Sequence, residues 1–333
     1  MPRIKLSLCI AEYDRVKPLL DEIVKPDGIY LMATTLHPSD TFYRMLKYDQ
    51  FDVSEMSLSS FLIAKSQGKK WTAIPVFPYR GFFHTWIYCN NESGIKEPAD
   101  LAGKKFGLPE YQITAALWIR GTLEHDFGVS PKKIKWFVER LEEKSHGGTT
   151  GFKSPQGISI QRIPENESLG SLLSKGELDA VMEPAYPGKT SIDRTEASIL
   201  AKLPNVNRLF SDPKSEGIRY FHQHGFAQMN HTIIVKTRIL EENPWVALNL
   251  YNAFVSSKEI CYGKTNQLLL ASLLFAGAEL EDQLRIFGKD PYPYGIKANT
   301  KALETLADYS YEQGLTLKRL EIQELFDAST MDT

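Results

Sequence analysis

Lys105-Phe106-Gly107-Leu108-Pro109-Glu110-Tyr111-Gln112-Ile113-Thr114-Ala115-Ala116-Leu117-Trp118 reads as a short strand, a loop and the opening of a helix over about 112–126. It decides the architecture because it restarts a pattern already completed once. In Ile4-Lys5-Leu6-Ser7-Leu8-Cys9-Ile10 apolar and polar residues alternate as in a half-buried strand, and 13–24 follows with helical spacing. A strand at 29–35, a helix at 40–48 and a strand at 51–54 continue that first unit, and such alternation predicts a mainly parallel sheet. Residues 71–77 and 85–90 read as extended and lead into the polar patch 90–100. Beyond the restart come strands at 134–138, 158–163 and 178–182, a helix at 169–175, and a return strand at 231–236. A chain that leaves one α/β unit near 90 and returns near 230 crosses twice. The expected lobes are 1–88 with 228–333, and 89–227, with a helical C-terminal third at 245–262, 266–280 and 299–313. Ligands of open α/β units lie outside the carboxyl ends of the strands, here in the interlobe cleft.

Composition narrows the partners. With 39 basic against 41 acidic residues and no basic stripe, nucleic acid is excluded as a partner and any anion must be met by local donors. Cys9, Cys89 and Cys261 are odd in number, far apart and form no CxxC, which points to a reducing compartment and away from disulfides or thiolate-bound zinc. The N-terminal apolar run is short and broken at Ser7, so no secretory signal is expected. The longest apolar run, 268–278, is too short to cross a bilayer. A soluble cytoplasmic protein with no membrane partner is the expectation; homo-oligomerisation stays open.

If 81–88 is extended, Arg80, Phe82, His84 and Trp86 share one face. A guanidinium beside a phenyl ring suits an aryl acid, and Arg80 is expected as an exposed cleft cation that clamps a carboxylate. The plainer reading is a surface ion pair and a satisfied hinge histidine. Ser57 caps a helix over 58–66, whose free N–H groups offer an anion site, and Glu55 precedes it. Glu110 and Tyr111 sit in a cleft-facing loop. Thr114 and Trp118 share a helix face from which Arg120 is turned away, to be solvated or ion-paired. His231 opens the return strand and would meet His84 at the hinge, and Glu183 ends a lobe-two strand. Glycine and serine crowd 142–157, which reads as a mobile connection. His222 and His224 with His231 are a weaker metal alternative, because a helix there turns 222 and 224 about 200° apart.

Asp52-Val53-Ser54-Glu55-Met56-Ser57-Leu58-Ser59-Ser60, Pro75-Val76-Phe77-Pro78-Tyr79-Arg80-Gly81-Phe82-Phe83-His84, 100–121 and Asp290-Pro291-Tyr292-Pro293-Tyr294-Gly295 together resemble the 4,5-dihydroxyphthalate decarboxylase family, over nearly the whole chain. Leu101-Ala102-Gly103-Lys104 alone is similar to the wider superfamily of transporter solute-binding proteins, and 142–157 and 217–224 match none of the family's motifs. The resemblance implies a two-lobed, type II periplasmic-binding-protein-like fold and a carboxy-lyase that needs no organic cofactor and acts on a small aromatic dicarboxylate. A catalytic divalent metal is the lesser alternative. Departure of CO2 from an aromatic ring requires ring protonation first. That implies an acid, His84 or His231; a base, Glu110 or Glu183; and Arg80 on a carboxylate. The competing reading is a solute-binding-type protein that captures an aromatic acid without turnover.

Overall fold

In the computed structural model, residues 3–184, 186–188 and 190–333 are described, with the backbone alone at 197–198 and 265–271. Residues 1–2 of the N-terminal run, residue 185 and the side chains at 268–271 of the longest apolar run lie outside the described residues. Thirteen strands are described: β1 (Ile4–Ile10), β2 (Ile29–Thr35), β3 (Val53–Ser57), β4 (Trp71–Ile74), β5 (Arg80–Gly81), β6 (Ile87–Asn90), β7 (Lys105–Leu108), β8 (Lys135–Val138), β9 (Ile160–Arg162), β10 (Ala180–Met182), β11 (Val206–Arg208), β12 (Gln228–Met229) and β13 (His231–Lys236). They form two large sheets, ordered β2-β1-β3-β13-β4 and β11-β6-β10-β7-β8-β9, one in each lobe of a two-lobed α/β fold of the type II periplasmic-binding-protein kind.

The third, two-stranded sheet explains how the lobes are joined. β5 pairs antiparallel with β12, Gly81 opposite Gln228 and Arg80 opposite Met229, so the outgoing and returning segments brace one another. This pairing also corrects the mainly parallel expectation. β1 runs parallel to β2 and β3, and β7, β8, β9 and β10 are parallel neighbours. β13 and β6 enter their sheets from the cleft side and therefore run antiparallel to both of their neighbours. His231 consequently pairs with Ser57, placing the first residue of the return strand beside the last of β3.

Three local expectations fail for physical reasons. Residues 81–88 are not one strand: Phe83–Trp86 forms a 3-10 turn held by Thr85 donating to the Phe82 carbonyl, so Arg80, Phe82, His84 and Trp86 do not share a face. The helix expected over 13–24 is reduced to Asp14–Val16 and Lys17–Leu20. The break expected near 262–266 is absent, because Val246–Ser272 is one continuous helix through the exposed Gly263.

The helix Thr300–Glu312 returns across the molecule to pack on Thr114–Phe127, with Tyr309 edge-on to Trp118. The closest approach is at Gly121, where a Cβ would stand only 2.0 Å from the Tyr309 ring. A methyl group there is overpacking against an aromatic ring, which costs about 3 kcal/mol. Gly121→Ala is therefore expected to lower the denaturation midpoint strongly, and Tyr309→Leu in the same chain to recover part of the loss. An unchanged midpoint in Gly121→Ala would show that the two helices do not meet as described.

Candidate active site

Three helix starts converge on the interlobe cleft. His37-Pro38-Ser39 opens the helix Pro38–Tyr48, Ser57 opens Leu58–Ser66, and Ile113-Thr114 opens Thr114–Phe127; His37, Ser39, Ser57, Thr114 and Ala115 all line the cleft. Two of the sequences supply a helix-start signal: proline in the first turn of Pro38–Tyr48, where its missing N–H costs nothing, and serine as the cap of Leu58–Ser66. Thr114–Phe127 has no side-chain cap, which leaves its first N–H groups for other acceptors. The Ser57 and Thr114 hydroxyls are 2.8 Å apart across the two lobes, and Thr114 also accepts from the Ser59 N–H. At Leu58–Ser66 the first N–H groups are already taken, Leu58 by the Asn230 carbonyl, Ser59 by Thr114 and Ser60 by Ser57, and the Ser39 N–H is taken by His37. The uncapped start of Thr114–Phe127, helped by the positive ends of the other two helix dipoles, is what suits an anion.

The wall beside it carries a histidine–carboxylate pair. The His231 Nδ1 lies 2.6 Å from Glu55 Oε1, and Glu55 also accepts from the Tyr13 hydroxyl (2.5 Å) and the Ala11 N–H (2.9 Å). Glu55 is fully buried, whereas His231 lines the cleft, so the ring nitrogen left for a ligand is Nε2. Tyr79 stacks on the His231 ring at 5.5 Å and Phe42 meets it edge-on at 4.8 Å. Tyr186 stands edge-on to Tyr13, Tyr79 and His37, closing an aromatic-lined slot. The His37 Nδ1 accepts from the Ser39 N–H, which in the neutral ring puts the proton on Nε2; that buried Nε2 has no partner among the described residues. Burial pushes the His37 imidazole below its ordinary value, so it faces the cleft as a neutral donor.

Within the connection 142–157, Ser145, His146 and Gly147 hold Glu110, and His146 lines the far wall. Ser145 caps the short helix His146–Thr150, and Glu110 accepts from the Ser145 hydroxyl, the His146 and Gly147 N–H groups and Arg140. Burial works against the Glu110 charge, but Arg140, His146 and these hydrogen bonds hold its carboxyl below the usual range. Arg140 is shared with Asp193 (2.5 and 3.0 Å) and reaches Ser39 of the other lobe. Its NH1 donates to His146 Nδ1, so the neutral His146 ring gives its Nε2 proton to the Ser39 carbonyl. Burial and Arg140 push this imidazole down to about 4. The sequence did signal this arrangement: Arg140 lies just past the end of β8, and Ser145-His146-Gly147-Gly148 joins a cap residue to glycines slim enough to approach Glu110.

Several expected site residues stand elsewhere. Arg80 is a buried tie rather than an exposed cleft cation: it donates to the carbonyls of Ala227 and Pro293 and to Asn299. Phe82 packs on Tyr220 and Phe287 behind the hinge. His84 pairs with Glu216 at 2.9 Å and does not face His231, because the 3-10 turn aims it at Tyr220. Glu183 pairs with Arg208 at 3.3 Å, while its neighbour Pro184 lines the cleft. Tyr111 and Trp118 are core residues; the Trp118 indole donates to the Met229 carbonyl, and Arg120, far from being solvated, is buried against the Tyr111 ring. His224 lies in the helix Pro213–His224 and bonds Asp126.

The chain is 31% identical to 4,5-dihydroxyphthalate decarboxylase of Comamonas testosteroni over 336 aligned residues, covering 100% of this chain and 99% of that one. It belongs to the 4,5-dihydroxyphthalate decarboxylase family. It is thus an enzyme of the carboxy-lyase type. The Pseudomonas putida enzyme of the same name is 35% identical over 215 residues, 64% of this chain and 80% of that one. No family model matches the chain. In fold it is similar to the periplasmic aliphatic sulphonate-binding protein of Escherichia coli (TM-score 0.58, 14% identity, all of both chains) and to the desulfurization enzyme DszB (TM-score 0.54, 12% identity, 99% and 98% of the chains). The cytoplasmic expectation is overturned here: proteins of this fold include periplasmic ones, and cysteines buried for packing, as Cys9, Cys89 and Cys261 are, do not report a compartment. Among the described residues no helix is long and apolar enough to cross a membrane.

The wall around Arg140 makes stability pH-dependent. An unfolded His146 takes up its proton near the ordinary value of about 6.5, whereas the folded one waits until about 4. The contribution is therefore complete above about pH 6.5 and falls as the pH drops towards about 4, with Glu110 and Asp193, both held low, adding losses at still lower pH. Denaturant unfolding should show the parent losing roughly 2 kcal/mol more than His146→Gln between about pH 7 and about pH 4.5. Parallel curves for the two proteins would remove His146 from this account.

Proposed function

We propose that the protein converts 4,5-dihydroxyphthalate to protocatechuate and CO2 without an oxidant, protonating the ring before the carboxylate leaves. The observation that carries this reading is the Glu55–His231 pair beside an aromatic slot floored by three helix starts. Phe42 and Tyr186 offer ring faces to an aromatic substrate and the helix starts suit carboxylates, in a chain whose net charge of −2 offers no general attraction for anions; the cleft holds about 50 Å³ in this structure, so it opens to admit the ring. Family membership supplies the reaction class. In this reading the lobes are 1–88 with 228–333, and 89–227, and the substrate lies between them.

Each carboxylated ring carbon of the substrate has a hydroxyl para to it. That hydroxyl gives its proton to solvent water, electron density moves to the para carbon, the carbon takes a proton from His231 Nε2, and the ring oxygen regains a proton from solvent once CO2 has left. The bond to the carboxylate then breaks, its electron pair restores the aromatic ring, and CO2 departs; overall one proton is consumed. Glu55 accepts from His231 Nδ1–H and stabilises the imidazolium that precedes transfer, the role a buried carboxylate takes behind a catalytic histidine. Tyr13 holds Glu55 in place. His37 Nε2–H and the Asn230 amide, both on the cleft, hydrogen-bond the ring oxygens, while Ser57, Thr114 and their helix starts take a carboxylate. His84, Glu183 and Arg80 have no part in this scheme, and Glu110 acts by holding Arg140 and His146.

His231→Gln is expected to lower kcat by about 10²-fold or more with little change in KM, the scale of a lost general acid. Glu55→Gln should lower kcat as well, by leaving the imidazolium without its anion. Turnover in deuterated water should be slower and should place one solvent deuteron on the carbon that lost CO2. Full turnover of 4,5-dihydroxyphthalate by His231→Gln would sink the assignment of the acid; no turnover by the parent protein would sink the substrate.

A further inference from the structure

Arg140 is the one arginine among the described residues lining the cleft, and its fork is filled from within the chain. Its Nε donates to Asp193 Oδ1 at 2.5 Å and its NH2 to Oδ2 at 3.0 Å, the side-by-side geometry in which a guanidinium takes a carboxylate. NH2 also donates to the Ser39 hydroxyl at 3.1 Å, so the fork reaches across the cleft to the other lobe. Asp193 and Ser39 line the cleft too, together with Thr114 and Ala115 of the uncapped helix start, around a space of about 50 Å³. The His37 imidazole, lowered chiefly by burial, also feels the charges of Asp193 and Arg140, which places the pair near the donors of the cleft.

This arrangement is at odds with a cleft that admits a dianion. Burial works against the Asp193 charge, but Arg140 and Ser39 hold its carboxyl below the usual range, and Glu110 is held low by Arg140 as well. One guanidinium thus serves two carboxylates, and the wall carries excess negative charge where an anionic substrate must come. The segment that brings Asp193 is lightly held. Among the described residues, 190–195 belong to no helix or strand and make no backbone–backbone hydrogen bond. Side chains hold this strap instead: Thr190 and Ser191 donate to Asp40 of the other lobe at 3.0 and 2.5 Å, and Thr195 fixes the far end on Glu139 at 2.7 Å. Asp40 is partly exposed, so its hydroxyl bonds exchange for bonds to water at little cost.

We propose, on the dicarboxylate reading above, that Asp193 occupies the place of a substrate carboxylate on Arg140, and that the substrate displaces it as the cleft opens. One carboxylate of the substrate then takes over the Nε and NH2 donors. Arg140 stays paired through the exchange, and Asp193 leaves for water with the excess negative charge. The carboxylate on the fork is the one that the product keeps. A group departing as CO2 loses its charge on the way to the transition state, and a guanidinium on it would stabilise the substrate more than the transition state. The departing carboxylate is left to the dipole of Thr114–Phe127.

Isothermal titration calorimetry of the full chain with phthalate tests this, because phthalate has both carboxylates and none of the hydroxyls that the reaction needs. Asp193→Asn is expected to bind phthalate about tenfold more tightly than the parent, the scale of a charge-assisted pair that no longer has to be broken. Thr190→Val, which frees the strap from Asp40 and leaves the Arg140–Asp193 pair intact, should tighten binding about threefold. Adding Arg140→Lys, which keeps the charge without the fork, to Asp193→Asn should remove the gain. Unfolding curves establish which variants fold. Unchanged or weaker binding in Asp193→Asn, or in Thr190→Val where Asp193→Asn does not fold, would overturn the proposal, and so would a gain that survives Arg140→Lys or no saturable binding at millimolar phthalate. A brace with a purely structural role would weaken binding and stability together. These affinities need no turnover, whereas the proposed reaction stands or falls on turnover by the parent, so the two fail separately.

Discussion

The antiparallel pairing of Arg80–Gly81 with Gln228–Met229 is the constraint on which the rest of the molecule depends. Two segments 147 residues apart in sequence, as the Arg80–Ala227 bond spans, are held side by side, and both sheets take their strand directions from that junction. The returning chain can enter the first sheet only from the cleft side, which seats His231 against Ser57 and beside Glu55. The outgoing chain enters the second sheet in the same sense, leaving the carboxyl end of β8 to bring Arg140 to the cleft with Glu110, past the end of β7, buried behind it. The geometry of the cleft is a consequence of where two crossings are tied.

Buried charge is handled in two opposite ways. Arg140 sits between Glu110 and Asp193, so its attraction to two anions offsets the loss of water, and its remaining donors reach Ser39 and His146. Arg80 and Arg120 have only carbonyls, amides and ring faces for company; Arg120 lies 3.7 Å from the Tyr111 ring centroid and bonds the Tyr111 carbonyl and Gln313. The first arrangement locks a wall that joins both lobes. The second ties distant segments together but leaves donors unmet, Nε in Arg80 and one terminal nitrogen in Arg120.

Among the described residues lining the cleft there is one arginine, which is paired, and no lysine. Its one arginine is consumed by two carboxylates, and what remains for a ligand is the uncapped helix start at Thr114, an amide and two imidazoles. Such dipoles are fixed in place by the fold and do not have to reorganise when charge moves during a reaction, which is where preorganised sites gain most. The same scaffold serves in periplasmic binding proteins and in a desulfurization enzyme. In the function proposed above, what separates catalysis from capture is the chemistry set into the walls, an imidazole backed by a buried carboxylate.

Local pattern alone determined the two α/β units, the restart at Lys105, the return strand His231–Lys236, the cap at Ser57 and the helical C-terminal third, since periodicity and capping are short-range properties of the chain. It also brought Glu55, Ser57, Thr114, Glu110 and His231 into consideration, because strand ends and helix starts can be located from sequence. It misread 81–88 and 142–157, where the outcome rests on partners far away: a 3-10 turn whose Phe83 N–H is taken by Gln228, and a glycine-rich segment ordered by the Glu110 carboxylate. Which histidine faces the cleft, that Arg80 is buried behind the hinge, and that Arg140, Asp193 and His146 form one network were decided only by tertiary structure. Most of those hydrogen bonds join residues 30 to 219 positions apart, as in Arg140–Glu110 at 30 and Arg80–Asn299 at 219, and no local spacing encodes such a meeting.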